Sequence, residues 1–291
     1  MTKVLGIDIG GTHLRWGIVE DKNVLCVEKI KSKDIDDFVE YISKIALDHP
    51  EIDVISIGIP GIVNNHKIMN VPNVEKLNVY DLKDQIEERT KKLVLIHRDV
   101  RLLFAYDLER LSLEDKPYVL AFYLGTGIGN VIKVEGQIVK GRHGFSAELG
   151  HIPITGNDKI CGCGKVGCAE TIVSGKALLE LFHSKKLSGD FSDIFIQHKN
   201  HPLIHEFIEA FARIIAIEMN ILDATTLIIG GGVANMIGFP QGKLNRLLAS
   251  HLRSEELIAG LNIHYVDDSP MNSMIGASLI AKEYINENSH R

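Results

Sequence analysis

The sequence predicts an α/β protein of two domains, and three observations predict it. A short apolar or β-branched run ending in glycine occurs four times, at 4–11, 54–61, 119–127 and 226–232. Such runs read as buried strands whose ends let the backbone approach a ligand closely. Between them lie segments of helical period, and strands alternating with helices define the α/β class. The third observation is size: 291 residues, 45% of them apolar, can build two cores.

Taken in order, 4–8 is the first strand and His13-Leu14-Arg15-Trp16-Gly17-Ile18-Val19 reads as the second. Residues 35–47 have helical spacing, 54–59 is a strand, and 80–91 is helical again. Val94-Leu95-Ile96-His97-Arg98-Asp99 is a strand running into a carboxylate. The polar stretch Ser112-Leu113-Glu114-Asp115-Lys116-Pro117 marks a break, giving domains 1–115 and 116–291. After it come strands at 119–124 and 131–134. Residues 203–222 carry Leu203, Phe207, Ile208, Phe211, Ile214 and Ile215 on one buried helix face. The last helix, about 273–284, can pack on either side of the break, the first domain included.

Net charge is −6 with no block of like charge, which invites neither nucleic acid nor a membrane surface. There is no signal segment of basic-then-apolar pattern, and no apolar run approaches the length of a membrane span. Clustered thiols without such a signal point to the reducing cytosol, and so to metal rather than disulfide.

Three of the four cysteines, Cys161, Cys163 and Cys168, follow His151 closely. One His and three Cys make the closed four-ligand set of a structural Zn²⁺ site. Glu148 and Glu170 bracket the set, within a zinc-binding segment 148–170. A reduced thiol cluster in a surface loop is the alternative. A disulfide is disfavoured because Cys161 and Cys163 are too close in sequence to pair without strain.

Asp8-Ile9-Gly10-Gly11-Thr12 can turn backbone N–H groups and the Thr12 hydroxyl to a phosphate, with Asp8 a hard oxygen ligand suited to Mg²⁺. A plain β-hairpin turn is the other reading of the same residues. Leu124-Gly125-Thr126-Gly127-Ile128-Gly129 is a second glycine loop, and lacks the spacing of the dinucleotide fingerprint. Gly230-Gly231-Gly232 is a third, or a tight strand-to-helix turn. The P-loop pattern is absent. Three glycine loops at strand ends favour one shared nucleotide. Asp99, between the first two loops in sequence, reads as a surface Asp or a functional carboxylate.

Together these residues resemble the ROK family of bacterial sugar kinases, which share the two-domain sugar kinase, heat-shock protein and actin-like (ribonuclease H-like) fold. The motifs are the Asp8–Thr12 loop, Asp99, the 125–129 loop, the Glu148/His151/Cys161/Cys163/Cys168/Glu170 block, and the 230–232 glycines. The resemblance implies ATP, Mg²⁺ and a structural Zn²⁺, a hexose substrate, a homodimer, and transfer of a phosphoryl group to the 6-hydroxyl. It makes Asp99 the catalytic base. Gly61, Asn73, Arg98, Asp99, Glu148, His151 and Glu170 become sugar contacts, with His151 serving both metal and sugar. Asp8, Gly10, Gly11, Thr12, Gly125, Thr126, Gly127, Gly129, Gly230, Gly231 and Gly232 become nucleotide contacts.

The family's repressors carry an N-terminal helix-turn-helix. This chain opens on the phosphate loop, so a kinase is expected. The family's usual Asn-Asp-x-Asn is here Arg98-Asp99-Val100-Arg101, and His13 stands where many members have Lys. The Thr-His-Leu-Arg and Arg-Asp-Val runs and Ala147-Glu148-Leu149-Gly150-His151-Ile152-Pro153 look most like members acting on D-allose, which is the favoured hexose. Glucokinase, fructokinase and N-acetylmannosamine kinase activities are the alternatives, and a non-catalytic sugar sensor is a second one.

Overall fold

The computed structural model describes residues 2–71, 74–77 and 79–289. Among them the chain runs β1 (Lys3–Ile9), β2 (His13–Glu20), β3 (Asn23–Lys31), α1 (Phe38–Asp48), β4 (Val54–Ile59), β5 (Ile62–Asn64), β6 (Lys67–Asn70), α2 (Leu82–Thr90), β7 (Leu93–Arg98) and α3 (Asp99–Arg110). It continues through β8 (Val119–Leu124), β9 (Ile128–Val134), β10 (Gln137–Ile138), α4 (Gly175–Ser184), α5 (Ile194–Gln197), α6 (Pro202–Leu222), β11 (Thr226–Gly230), α7 (Gln241–His251), α8 (Glu255–Ala259), β12 (Asn262–Tyr265) and α9 (Pro270–Ser289). Two units result. One is Met1–Leu113 with Gly141–Phe145 and Ser269–Arg291; the other is Glu114–Lys140 with Ser146–Asp268.

The first unit holds a five-stranded sheet in the order β3-β2-β1-β4-β7. β1–β2 and β2–β3 pair antiparallel, while β1–β4 and β4–β7 pair parallel. Alternation puts Leu5, Ile7 and Ile9 of β1 and Leu14 and Trp16 of β2 on one face, where Phe38 and Ile42 of α1 cover them. The other face receives α9. That helix also lies close against α3: a Cβ on Gly276 would come within 1.8 Å of the Leu102 carbonyl oxygen, so only glycine fits.

The second unit repeats this plan. Its sheet runs β10-β9-β8-β11-β12, again with two antiparallel and then two parallel pairings. α6 buries Ile204, Phe207, Ile208, Phe211, Ile214, Ile215 and Met219 against it, opening on Pro202 in the first turn, where a missing N–H costs nothing.

Several elements differ from the sequence expectation. α1 begins at Phe38 rather than 35, because Asp37 caps it by accepting from the Glu40 amide. α3 is an element the periodicity does not reveal. Its apolar residues Val100, Leu102, Leu103, Phe104, Ala105 and Leu108 run all round the helix, so no single stripe stands out in sequence; in the fold Val100, Phe104, Asp107 and Leu108 share one buried face and Leu102 is buried on the other side. α9 extends to Pro270–Ser289 and belongs with the first unit. Among the described residues no helix is long and apolar enough to cross a membrane.

Candidate metal centre and phosphoryl-transfer residues

The sequence from Glu148 to Glu170 folds as short turns held by backbone hydrogen bonds. Residues Leu149–His151 form one 3-10 turn and Ala169–Thr171 another. The stretch between closes on itself through Cys161 N–H to Lys165 O (2.7 Å), Gly164 N–H to Cys161 O (2.9 Å) and Gly167 N–H to Lys159 O (2.9 Å). Gly164 has φ +84°, the left-handed conformation such a knuckle needs and glycine adopts freely. Asn157 Nδ2 ties the ends by donating to Cys168 O (3.0 Å) and Thr171 Oγ1 (2.8 Å).

This folding brings the four expected ligands together. The candidate ligand atoms of His151, Cys161, Cys163 and Cys168 all lie within 4.8 Å of one another. Cys163 Sγ and Cys168 Sγ are 3.6 Å apart, as are Cys161 Sγ and His151 Nδ1. Ligands at zinc bond lengths on one tetrahedral cation sit about 3.8 Å apart for S–S and about 3.6 Å for S–N. A disulfide requires about 2.05 Å. The donor set therefore fits Zn²⁺ and not a cross-link. Burial and the neighbouring thiols push the Cys168 thiol up to about 12. A hydrogen bond from the Lys165 backbone holds Cys163 below its usual value. A bound divalent cation deprotonates such thiols outright.

His151 turns Nδ1 to Cys161 and Nε2 toward Glu148, whose Oε2 is 3.6 Å away. Metal on Nδ1 leaves the proton on Nε2, directed to the carboxylate side. Glu148 follows Ala147, a non-glycine residue at φ +58°. Glu170, two residues past Cys168, accepts a hydrogen bond at Oε2 from the Ile128 N–H (3.0 Å). Its carboxylate lies against Gly127 so closely that a Cβ there would meet Oε2 at 2.2 Å.

The three glycine loops are not alike. In the first, the β1–β2 turn is both a hairpin and a candidate phosphate loop. Gly10 N–H is spent on His13 O (2.8 Å), while the Gly11 and Thr12 amides take no partner among the described residues. In the second, Gly125 N–H is spent on Gly127 O (3.0 Å), and the Thr126 and Gly127 amides take none. Gly129 is not in this loop. β9 already begins at Ile128, and Gly129 pairs with Tyr123. The N-terminus of α4 closes on the same loop, Gly175 and Lys176 donating to the carbonyls of Gly125 and Thr126. In the third, Gly230 and Gly231 have packing reasons: added Cβ atoms would meet Val266 Cγ2 at 2.6 Å and the Leu124 backbone at 2.7 Å. Gly232 alone opens onto space.

In the first unit, Asp8 sits opposite Arg15 in the sheet. Its Oδ2 is 3.8 Å from Arg15 Nη1 and accepts from Ser273 Oγ of α9 at 3.2 Å. Neither partner was singled out from sequence, although the two-residue alternation of β2 places Arg15 on the Asp8 face. Asp99 is the first residue of α3, directly after β7, and its Oδ1 accepts from the Val100 N–H at 2.8 Å. The first turn of a helix is a favourable place for a carboxylate. Arg98 is half-buried beside it. Arg101 points elsewhere. It is half-buried near Glu283 and Glu287 of α9; burial lowers its guanidinium from the ordinary value, and the two carboxylates oppose that. Gly61 is pressed by the β5–β6 hairpin, since a Cβ there would meet Asn70 O at 2.3 Å. Asn73 lies outside the described residues.

A duplicated sheet of order 3-2-1-4-5, with glycine turns at the ends of its first and fourth strands and a zinc-type knuckle in the second copy, defines an actin-like α/β protein of the sugar-kinase kind. The ROK family pattern matches residues 4–284, and the chain belongs to that family. It is 28% identical over 258 residues to N-acetylmannosamine kinase of Vibrio cholerae, covering 84% of this chain and 88% of that one. It is likewise 28% identical over 318 residues to glucokinase of Thermotoga maritima, covering 97% and 98%. Among solved structures, the ROK family glucokinase from Streptomyces griseus in complex with glucose and AMPPNP superimposes with a TM-score of 0.78 at 22% identity, covering 97% of this chain and 99% of that one.

Proposed function

We propose that this chain is an ATP-dependent hexose kinase that phosphorylates the 6-hydroxyl, with D-allose the favoured sugar. The observation that carries the reading is a metal-type knuckle whose His151 faces Glu148 and whose other end places the Glu170 carboxylate against Gly150, next to His151 in the chain. Two carboxylates and an imidazole N–H give acceptors and a donor for sugar hydroxyls. Asp99 accepts the proton of the attacking hydroxyl, a contribution of typically about 10²–10⁴-fold. The Gly11, Thr12, Thr126 and Gly127 amides receive phosphate oxygens, and positioning supplies most of the remaining rate. Asp8 would hold the Mg²⁺ that accompanies the nucleotide, which neutralises phosphate charge. His151, Cys161, Cys163 and Cys168 would hold Zn²⁺, which adds rigidity and, with four protein ligands, no open position for chemistry.

The similarity of this chain to kinases named for N-acetylmannosamine and for glucose supports the hexose class. D-allose rests on the likeness of the Thr12-His13-Leu14-Arg15, Arg98-Asp99-Val100 and 147–153 runs to members acting on that sugar; an Arg98 that contacts the sugar, rather than pairing with a surface carboxylate, would offer donors only and favour hydroxyls placed to accept. The reading extends to a homodimer of the reducing cytosol, which sedimentation of the zinc-loaded protein would test. The deciding experiment is ADP release with allose, glucose, mannose, fructose and N-acetylmannosamine. Turnover is expected with allose above the others. Bound sugar with no ADP released from any of the five would leave a sensor instead.

A further inference from the structure

Glu170 uses its two oxygens differently. Oε2 is committed to the Ile128 amide at 3.0 Å, while Oε1 takes no partner among the described residues. The carboxylate is held between two glycines, Gly127, where an added Cβ would lie 2.2 Å from Oε2, and Gly150, where it would lie 3.5 Å away. Its own backbone is fixed through Cys168, whose carbonyl accepts from Asn157 Nδ2 and Thr171 Oγ1. Gly127 is therefore not chosen for backbone freedom. Its φ is not in the left-handed region, and the missing side chain is what admits the acid.

We propose that Gly127 and the Ile128 amide form a positioning device for the sugar site. They hold Glu170 by Oε2 so that Oε1 is presented to the sugar, and a sugar held by Glu170 in turn steadies the 125–128 loop that receives donor phosphates. The proposal rests on the hexose-kinase reading above. It gives one residue of a phosphate-type loop an unexpected property, because Gly127 governs sugar affinity. It also gives the order of events a physical basis: sugar arriving first finds an acid already in place and leaves behind a stiffer loop, so the donor pays less ordering entropy.

The test uses the zinc-loaded full chain without nucleotide. Amide hydrogen exchange of 125–128 is followed with and without allose, glucose and N-acetylmannosamine, and sugar affinity is measured by calorimetry. A bound sugar is expected to slow exchange at Ile128. Gly127→Ala is expected to weaken sugar binding by about 10–100-fold, the scale of one hydrogen bond to a charged group, while ATP affinity changes less. Glu170→Asp, which adds no bulk and folds where Gly127→Ala does not, is expected to weaken sugar similarly and to speed exchange at Ile128. The two changes share one contact, so the double variant is expected to be no weaker than the worse single. Sugar binding that leaves exchange of the loop unchanged, wild-type sugar affinity in Gly127→Ala, or fully additive losses would each overturn the proposal alone. A wild-type chain that binds none of the sugars would remove the hexose reading and the proposal with it.

Discussion

Glu218 shows what one buried residue adds that the sequence hides. It interrupts the apolar face of α6, is almost fully buried, and accepts from Asn130 Nδ2 of β9 at 3.1 Å. Burial pushes its carboxyl up to about 7, and the Asn130 hydrogen bond opposes this only in part. In the unfolded chain the same group titrates near 4.5. Between these values the folded state keeps a proton the unfolded state has lost, so stability falls as pH rises from about 4.5 to 7. Glu218→Gln removes the charge and offers a donor to Asn130 Oδ1, which has no hydrogen-bond partner among the described residues. Urea unfolding should show the variant more stable by about 1–3 kcal/mol at pH 8, with the slope across the window lost. Asp99, by contrast, stands out in sequence as a carboxylate closing a strand between two glycine loops, and its place as the proposed base is open to test. The sequence did not show that it opens α3. Asp99→Asn should lower kcat by about 10²-fold or more with ATP KM nearly unchanged, measured by ADP release.

At the scale of elements, local signals were read correctly where one face is buried and missed where several are. α6 announces itself by its stripe. α3 does not, because it is packed on more than one side. Its contact with α9 depends on Gly276, and Gly276→Ala should cost about 1–3 kcal/mol or more, since the clashing atom is backbone and cannot swing aside. Equilibrium unfolding with an unchanged m-value checks it. The knuckle is the opposite case. It is held by short backbone hydrogen bonds more than by an apolar core of its own, so a bound cation would add much to its rigidity. Its candidate ligands were nonetheless plain in sequence, because one His and three Cys in so short a span leave few other readings. Cys163→Ser should lose the metal, read as about one Zn²⁺ per wild-type chain falling toward zero in elemental analysis. Hydrogen exchange should rise over 148–170 in the same variant.

The four glycine-ended runs that first suggested an α/β chain turn out to be β1, β4, β8 and β11, the central parallel pair of each sheet. Their recurrence in sequence is the trace of a duplicated topology, although no repeat of residues accompanies it. Duplication makes the 10–12 and 125–127 turns equivalent elements, each joining the first two strands of its sheet and each leaving two backbone amides without a partner among the described residues. What the sequence could not reveal is that the copies have diverged in what lies behind them. The first turn is backed by Ser32, which hydrogen-bonds to both Gly10 O and Thr12 O. The second is backed by Glu170. Equivalent turns should then respond differently to substitution. Thr12→Val keeps the shape of the first turn and deletes one hydroxyl donor. It should raise ATP KM by about 3–10-fold, the loss of one ordinary hydrogen bond, and leave hexose KM where it was. Gly127→Ala in the second turn should move hexose KM most. Steady-state kinetics with each substrate varied in turn separates the two. A Thr12→Val enzyme whose hexose KM rose as far as its ATP KM would show that both turns are tied to the sugar, and that the copies have not divided the work.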